Sequence, residues 1–332
     1  MKKLFLCISF LLVFLLVGCG KYDEKDVLKD FSNKVKKADS YYLEGKMEIY
    51  NNEDVYSYNV TVSYQKDDYF RVSLKNTANN HEQIILKNDD GVYVLTPSLN
   101  KTFKFQSEWP YNNSQVYLLQ SILDDINADD KKEFKEDDNY YVFTTSVNYP
   151  HNRSLKKQVI YLDKKLNVKE VHVVDENNNP QIKMKFKSID MKAKFKNDYF
   201  ALDNNMKTAV VDDTTKPVAS IDEIIYPMYI PEDTYLSTHE TVSKANGERL
   251  LLSFDGTSPF LLVEETAEKP DEFEVIPTYG DPIQLMDTVG SISEGAISWQ
   301  SNGIEYYIVS DVLSQNDLID VARSISTLPV SK

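Results

Sequence analysis

The sequence predicts an α+β fold: a curved antiparallel sheet capped by two helices, followed by a smaller α+β domain. Three observations carry this expectation. Several stretches alternate strictly between apolar and polar residues across short polar turns. Two segments before residue 130 repeat their apolar residues at helical spacing. A polar, irregular interval over residues 206–220 divides the chain.

Residues 23–38 read as an amphipathic helix, with Val27, Phe31 and Val35 at i, i+4 and i+8 and Leu28 beside them. Residues 42–50 shift to period two, with Leu43, Met47 and Ile49 on one face. Tyr56, Tyr58, Val60, Val62 and Tyr64 alternate cleanly, and Phe70, Val72 and Leu74 do so after a polar turn. Strands over residues 83–87 and 92–96 flank Asn88-Asp89-Asp90-Gly91, a strong hairpin turn. Residues 102–106 follow as a strand with Phe103 and Phe105 on one face.

A second helix is expected after Trp109-Pro110, with Ser114 as N-cap and Val116, Leu119, Ile122, Leu123 and Ile126 as its apolar stripe. Strands resume at 140–147, 158–163, 168–175 and 181–196 as a meander. In the last, Ile182, Met184 and Phe186 alternate with Lys183, Lys185 and Lys187. The lysine parity then changes to Lys192, Lys194 and Lys196, which predicts a bulge at 188–190. These lysines read as a solvated face or a charge-protected edge.

The block from residue 221 opens on Tyr226-Pro227-Met228-Tyr229-Ile230-Pro231 and has short strands near 250–254, 260–264, 297–300 and 306–309. It ends in a helix with Ser314 as N-cap and Asp317 at capping-box spacing, followed by Leu318, Val321, Ala322 and Ile325. The expected organisation is a leader over residues 1–18, a sheet domain over 19–206, a linker over 207–220 and an acidic domain over 221–332.

The 332 residues are 42% hydrophobic and 27% charged, which excludes a wholly disordered chain. The net charge of −15 argues against general nucleic-acid binding, which needs clustered Lys and Arg. The acidity is uneven. Residues 207–332 hold 7 Lys and Arg against 22 Asp and Glu, whereas residues 19–206 hold 28 against 30. A basic envelope protein is therefore the expected partner of the second domain.

Location is written in the first twenty residues. Met1-Lys2-Lys3 is basic, and an apolar run from Leu4 to Val17 follows. It is shorter than the ~20 apolar residues a span needs, and a small residue closes it, as in an export signal. Leu16-Val17-Gly18-Cys19 resembles the bacterial lipobox, which implies cleavage between Gly18 and Cys19 and lipidation of Cys19. Only Cys7 and Cys19 occur, so the processed chain keeps one thiol, at its new N-terminus. Two acyl chains there anchor a protein stably, at roughly 0.8 kcal/mol per buried CH₂. The expected location is the extracytoplasmic face of the cell membrane.

A search for catalytic chemistry returns little. His81, His151, His172 and His239 show no metal-ligand spacing, and neither a metal nor a cofactor is expected. There is no G-x-S-x-G elbow. Gly290 to Gly295 superficially looks like a phosphate loop, but Ala296 stands where Lys is required. Aromatic residues are the richer feature. Phe70, Val72, Leu74, Tyr93, Phe103, Phe105, Trp109 and Leu119 are the candidate residues for an apolar, ligand-lining sheet face.

The succession of helix, long meander, inserted helix and returning strands resembles the outer-membrane lipoprotein carrier (LolA) superfamily. Residues 83–110 and 113–125 are similar to its YdcC group of sporulation lipoproteins. The second block, through Trp299 to Tyr307 and Ser314 to Ser324, resembles small domains of predicted anti-sigma and envelope proteins. A sheet domain followed by a smaller domain is also similar to the RseB/MucB envelope-stress sensors. The resemblance implies a curved antiparallel half-barrel with helices on its concave face. It also implies a non-enzymatic protein that binds acyl chains, a lipopeptide or a protein partner in envelope or spore assembly. One alternative is a regulatory or scaffold partner of a peptidoglycan-modifying enzyme in sporulation or germination. The other is an envelope hydrolase.

Overall fold

The structure, a computed structural model, describes residues 22–51, 54–150, 152, 154–209, 221, 224–245 and 247–325. The leader, the Gly18–Cys19 junction, His151 and most of the expected linker lie outside them.

The elements are, in order, α1 (Glu24–Lys36), β1 (Ser40–Asn51), β2 (Asp54–Gln65), β3 (Tyr69–Asn76), β4 (Glu82–Asn88), β5 (Gly91–Thr96), β6 (Lys101–Phe105), α2 (Leu119–Ala128), β7 (Glu133–Glu136), β8 (Tyr140–Ser146), β9 (Lys157–Asp163), β10 (Val168–Val174), β11 (Pro180–Asp190) and α3 (Leu202–Ala209). The second block adds β12 (Thr234–Lys244), β13 (Gly247–Gly256), β14 (Phe260–Thr266), β15 (Glu274–Thr278), β16 (Asp281–Gln284), β17 (Val289–Ser293), β18 (Ala296–Ser301), β19 (Ile304–Val309) and α4 (Gln315–Ser324). The first sheet has 12 strands in the order β15-β6-β5-β4-β3-β2-β1-β11-β10-β9-β8-β7. It is an α+β half-barrel, and α1 and α2 bury their apolar stripes in its core. The second sheet has 7 strands, β12-β13-β14-β19-β18-β17-β16.

Helix α1 starts where a capping box can form. The Asp23 carboxylate accepts the backbone N–H of Lys25 at 2.9 Å and of Asp26 at 3.1 Å, and Val27, Phe31 and Val35 enter the core. Helix α2 starts later than its stripe suggested and has no side-chain cap. Ser114 is not its N-cap. Val116, Tyr117 and Leu118 are buried on turn backbone. That turn leaves the Ser114 hydroxyl free to donate to Asp125 at 2.9 Å and to accept the Asn148 N–H at 2.8 Å.

The expected bulge is present, closer to the strand centre. Glu44 pairs with Ser188 and Gly45 with Phe186, so Lys187 is the extra residue. Gly45 is required there: a Cβ would lie 2.4 Å from the Met184 methyl and 2.5 Å from the Lys185 carbonyl oxygen. Strand β11 ends at Asp190 and sits between β1 and β10. Its lysines therefore form a solvated face, not an edge, and Lys192 to Lys196 lie beyond the strand.

Strands β4 and β5 are buried on both sides. Ile85, Val92 and Val94 face the helix-covered core. Ile84, Leu86, Tyr93 and Leu95 pack on the other face against Phe200 and Met206. Helix α3 supplies this cover. Residues 206–209, expected to open the linker, are its last turn, held by Arg71 Nε donating to Asn205 Oδ1 at 2.6 Å.

The second block is fastened to the first. Strand β15 pairs in parallel with β6 and extends the first sheet. Tyr58 donates its hydroxyl to the Met286 carbonyl at 2.7 Å. The buried Gln83 amide accepts the Val289 N–H at 2.6 Å and the Thr288 hydroxyl at 3.1 Å, and donates to the Val289 carbonyl at 3.2 Å. Lys101 pairs with Glu305 at 2.5 Å, largely shielded from water. Met286 and Val289 belong to the first block's core.

Inside the second block, Glu264 is fully buried on β14, opposite Tyr306. One carboxylate oxygen accepts the Ile225 N–H at 3.4 Å, and the other has no donor. Burial pushes its carboxyl up from 4.5 to about 7.

Two outcomes follow. Gln83→Leu strands the buried Val289 N–H, so it should lower the unfolding free energy by about 2–4 kcal/mol in urea titration. For Glu264, the folded state holds its proton over a window, from 4.5 to about 7, in which the unfolded chain has lost it. Its contribution to stability is therefore constant below the window, declines through it, and stays at its minimum above it. Glu264→Gln should gain on the native chain by up to roughly 3 kcal/mol at pH 8, and the gain should vanish near pH 4.

Candidate binding cleft

Part of the helix-covered face of the first sheet is packed shut, and part of it, through Met47, Ile49, Ile85 and Trp109, floors a cavity. Phe70, Val72, Leu74 and Leu119 are packed into the continuous core with α1 and α2. Tyr93 lies on the opposite face, in the cluster closed by α3. Phe103 and Phe105 border a small groove of about 310 Å³ between β6 and β15 on one side and β17 to β19 on the other. Trp109 alone of the eight candidate residues lines the main cavity. Its ring packs edge-on to Phe70 with centroids 5.9 Å apart.

That cavity is a cleft of about 730 Å³ between the two blocks. This volume is in the range of small-ligand sites. The end of the β1–β2 hairpin supplies Met47, Ile49, Tyr50, Asn51 and Asp54. The segments before α2 and after β8 supply Trp109, Tyr117, Tyr149 and Leu155. The second block closes it with Met228, Tyr229, Gln284, Met286 and Val289, and with Asp320, Arg323 and Ser324 of α4. The two walls meet where Asn51 donates to the Arg323 carbonyl at 3.4 Å, and within the second wall Met228 N–H donates to the Ser324 carbonyl at 3.3 Å.

The wall is mixed, more apolar than polar, with Asn113, Gln115, Asn152 and Gln181 among its polar residues, and a few of its polar groups are unmet. Among the described residues, the hydroxyls of Tyr117 and Tyr149 have no hydrogen-bond partner, and burial raises both phenols. Gln284 donates through Nε2 to the Leu285 and Thr288 carbonyls, at 2.9 and 3.1 Å, which leaves its buried Oε1 without a donor. Arg323 Nε is buried without an acceptor. Such a wall solvates an apolar ligand and holds its polar groups at a few fixed points.

Among the described residues the cleft lining includes no histidine. Asp125, pushed up to about 6 by burial, is engaged by Ser114 and by Gln158 at 2.6 Å. His81 meets Ser98 at 3.3 Å, His172 meets Glu170 at 3.0 Å, and His239 lies exposed on β12. Among the described residues no group of three or more His, Cys, Asp or Glu could hold a metal ion, and no helix is long and apolar enough to cross a membrane.

Sequence reasoning missed Tyr117, Tyr149, Gln284, Met286 and Arg323. Two signals pointed to the second block's share. Met228 and Tyr229 lie in an apolar stretch outside any strand pattern, and Arg323 is among the few basic residues of an acidic block.

The family model for YdcC-like sporulation proteins matches residues 1–200. The chain is 33% identical over 320 residues to the sporulation protein YdcC of Bacillus subtilis (strain 168), across 96% of this chain and 94% of that protein. Among solved structures, a Pseudomonas aeruginosa MucA/MucB complex aligns over 89% of this chain and 96% of its own, with a TM-score of 0.34 at 13% identity. A complex of the CwlD amidase with the GerS lipoprotein from Clostridioides difficile aligns over 54% of this chain and 99% of its own, with a TM-score of 0.31 at 17% identity. The family match over the first block and the near full-length likeness to the Bacillus protein place the chain in the YdcC-like sporulation protein family.

Proposed function

We propose that the chain is a non-enzymatic binding protein, tethered through a lipidated Cys19 to the extracytoplasmic face of the membrane, that holds a lipid-like or peptide ligand during spore envelope assembly. The cleft between the blocks supports this reading: its wall is more apolar than polar, with aromatic and Met side chains, and the hydroxyls of Tyr117 and Tyr149 have no protein partner among the described residues. The tether accounts for an acidic chain at an anionic surface, because the charge is concentrated beyond residue 206.

Trp109 provides the readout. A chain starting at Gly20 keeps every described element, which begin at residue 22. Titrated with labelled fatty acids and lipopeptides, it should show saturable binding and, in a Trp299→Phe background, a change in Trp109 emission. No binding at high ligand concentration would remove the ligand from the reading. A stable peptidoglycan-enzyme partner captured without ligand would then favour the scaffold alternative.

The acidic block supplies a second contact. Glu232, Asp233, Glu240, Asp255 and Asp311 are exposed on it. A basic envelope protein should bind there with an affinity that falls as ionic strength rises. Salt-independent binding would exclude the electrostatic contact.

A further inference from the structure

We propose that Arg323 anchors the anionic end, a carboxylate or phosphate, of an amphiphilic ligand whose apolar chain runs along the cleft. The inference rests on reading the cleft as a ligand site and says which end of the ligand is charged. Arg323 stands on the α4 wall at the mouth, where Asn51 holds its backbone carbonyl. Among the described residues it is the cleft's only cationic side chain.

The residue is only partly exposed, and its Nε is screened from water and lacks an acceptor. A buried guanidinium N–H without an acceptor is costly. Two carboxylates also border the cleft. Asp320 is exposed one turn back on α4, and its field reaches Arg323 without neutralising the effect of burial, which pulls the guanidinium down to about 10. Asp54 lies across the mouth at the end of β2 and is partly exposed. Water screens both, so neither neutralises the guanidinium on its cleft side. A carboxylate or phosphate matches the planar donor fork of Arg, whereas an alcohol meets one N–H at most. The adjoining Tyr50, Met228 and Tyr229 then cover the start of the apolar chain.

The test compares dodecanoate, dodecyl phosphate and dodecanol, which share one chain length, on the protein from Gly20 onward. Tryptophan emission and calorimetry give the affinities. At least one anion should bind about tenfold or more tightly than dodecanol, and the better of the two identifies the head group. Arg323→Met should bring both anions down to the level of dodecanol, and Arg323→Lys should recover part of the difference. Equal affinity of all three ligands for the native protein, or an anion preference that survives Arg323→Met, overturns the proposal and leaves the cleft reading standing. Failure of all three to bind overturns both. The native comparison needs no variant, so it decides the matter even if Arg323→Met does not fold.

Discussion

The Gln83 amide, buried against Thr288 and Val289, is the contact on which the two-block structure turns. An amide inside the apolar strand β4 must find partners, and those partners come from residues some two hundred positions later. Meeting them brings Met286 and Val289 into the first core and sets the Met286 carbonyl against the Tyr58 hydroxyl. It also lays β15 on the open side of β6, which would otherwise present unpaired backbone groups. The cleft follows from the same contact, because Met286 and Val289 form part of its wall.

The acidity of the second block is arranged around that junction. Two second-block carboxylates at the junction have partners on the first block: Glu305 pairs with Lys101, and Asp281 accepts a hydrogen bond from the Ser107 hydroxyl at 2.6 Å. Others are paired within the block, as Glu265 is with Lys244 and Arg249. Burial raises the carboxyls of Glu264 and Asp287 toward their neutral forms. What remains is a shell of exposed Asp and Glu that can repel or attract at a distance. Part of the charge at the junction is thus met locally, and much of the rest is exposed to solvent.

Elements governed by local chemistry were legible in the sequence. The apolar stripe of α1, the capping box of α4, the Asn88–Gly91 hairpin and the alternating strands β1 to β3 and β8 to β11 needed only neighbours within a few residues. Other elements depend on distant partners. The runs Ile84-Ile85-Leu86 and Val92-Tyr93-Val94-Leu95 are continuous because α3 covers their second face, and alternation cannot report a face that a later helix buries. Strand β12 is mostly exposed and so carries no burial pattern. Strand β15 exists only as a mate for β6. The site divides the same way. Trp109 was visible as an aromatic after a long sheet, but Arg323 and Gln284 become cleft residues only once the blocks have docked.

The cleft draws its walls from both blocks, with Met47, Ile85 and Trp109 on one side and Met228 and Arg323 on the other, so a molecule in it touches both at once. Its binding free energy then includes contacts that exist only in the docked arrangement. By linkage, a ligand bridging Trp109 on one wall and Arg323 on the other stabilises docking by as much as docking strengthens its own binding. The buried Gln83 contact reduces the cost of that arrangement by holding the walls in register before the ligand arrives, which is the thermodynamic content of preorganisation. A partner that gripped the acidic block and strained it away from β6 would therefore weaken ligand binding without touching the cleft.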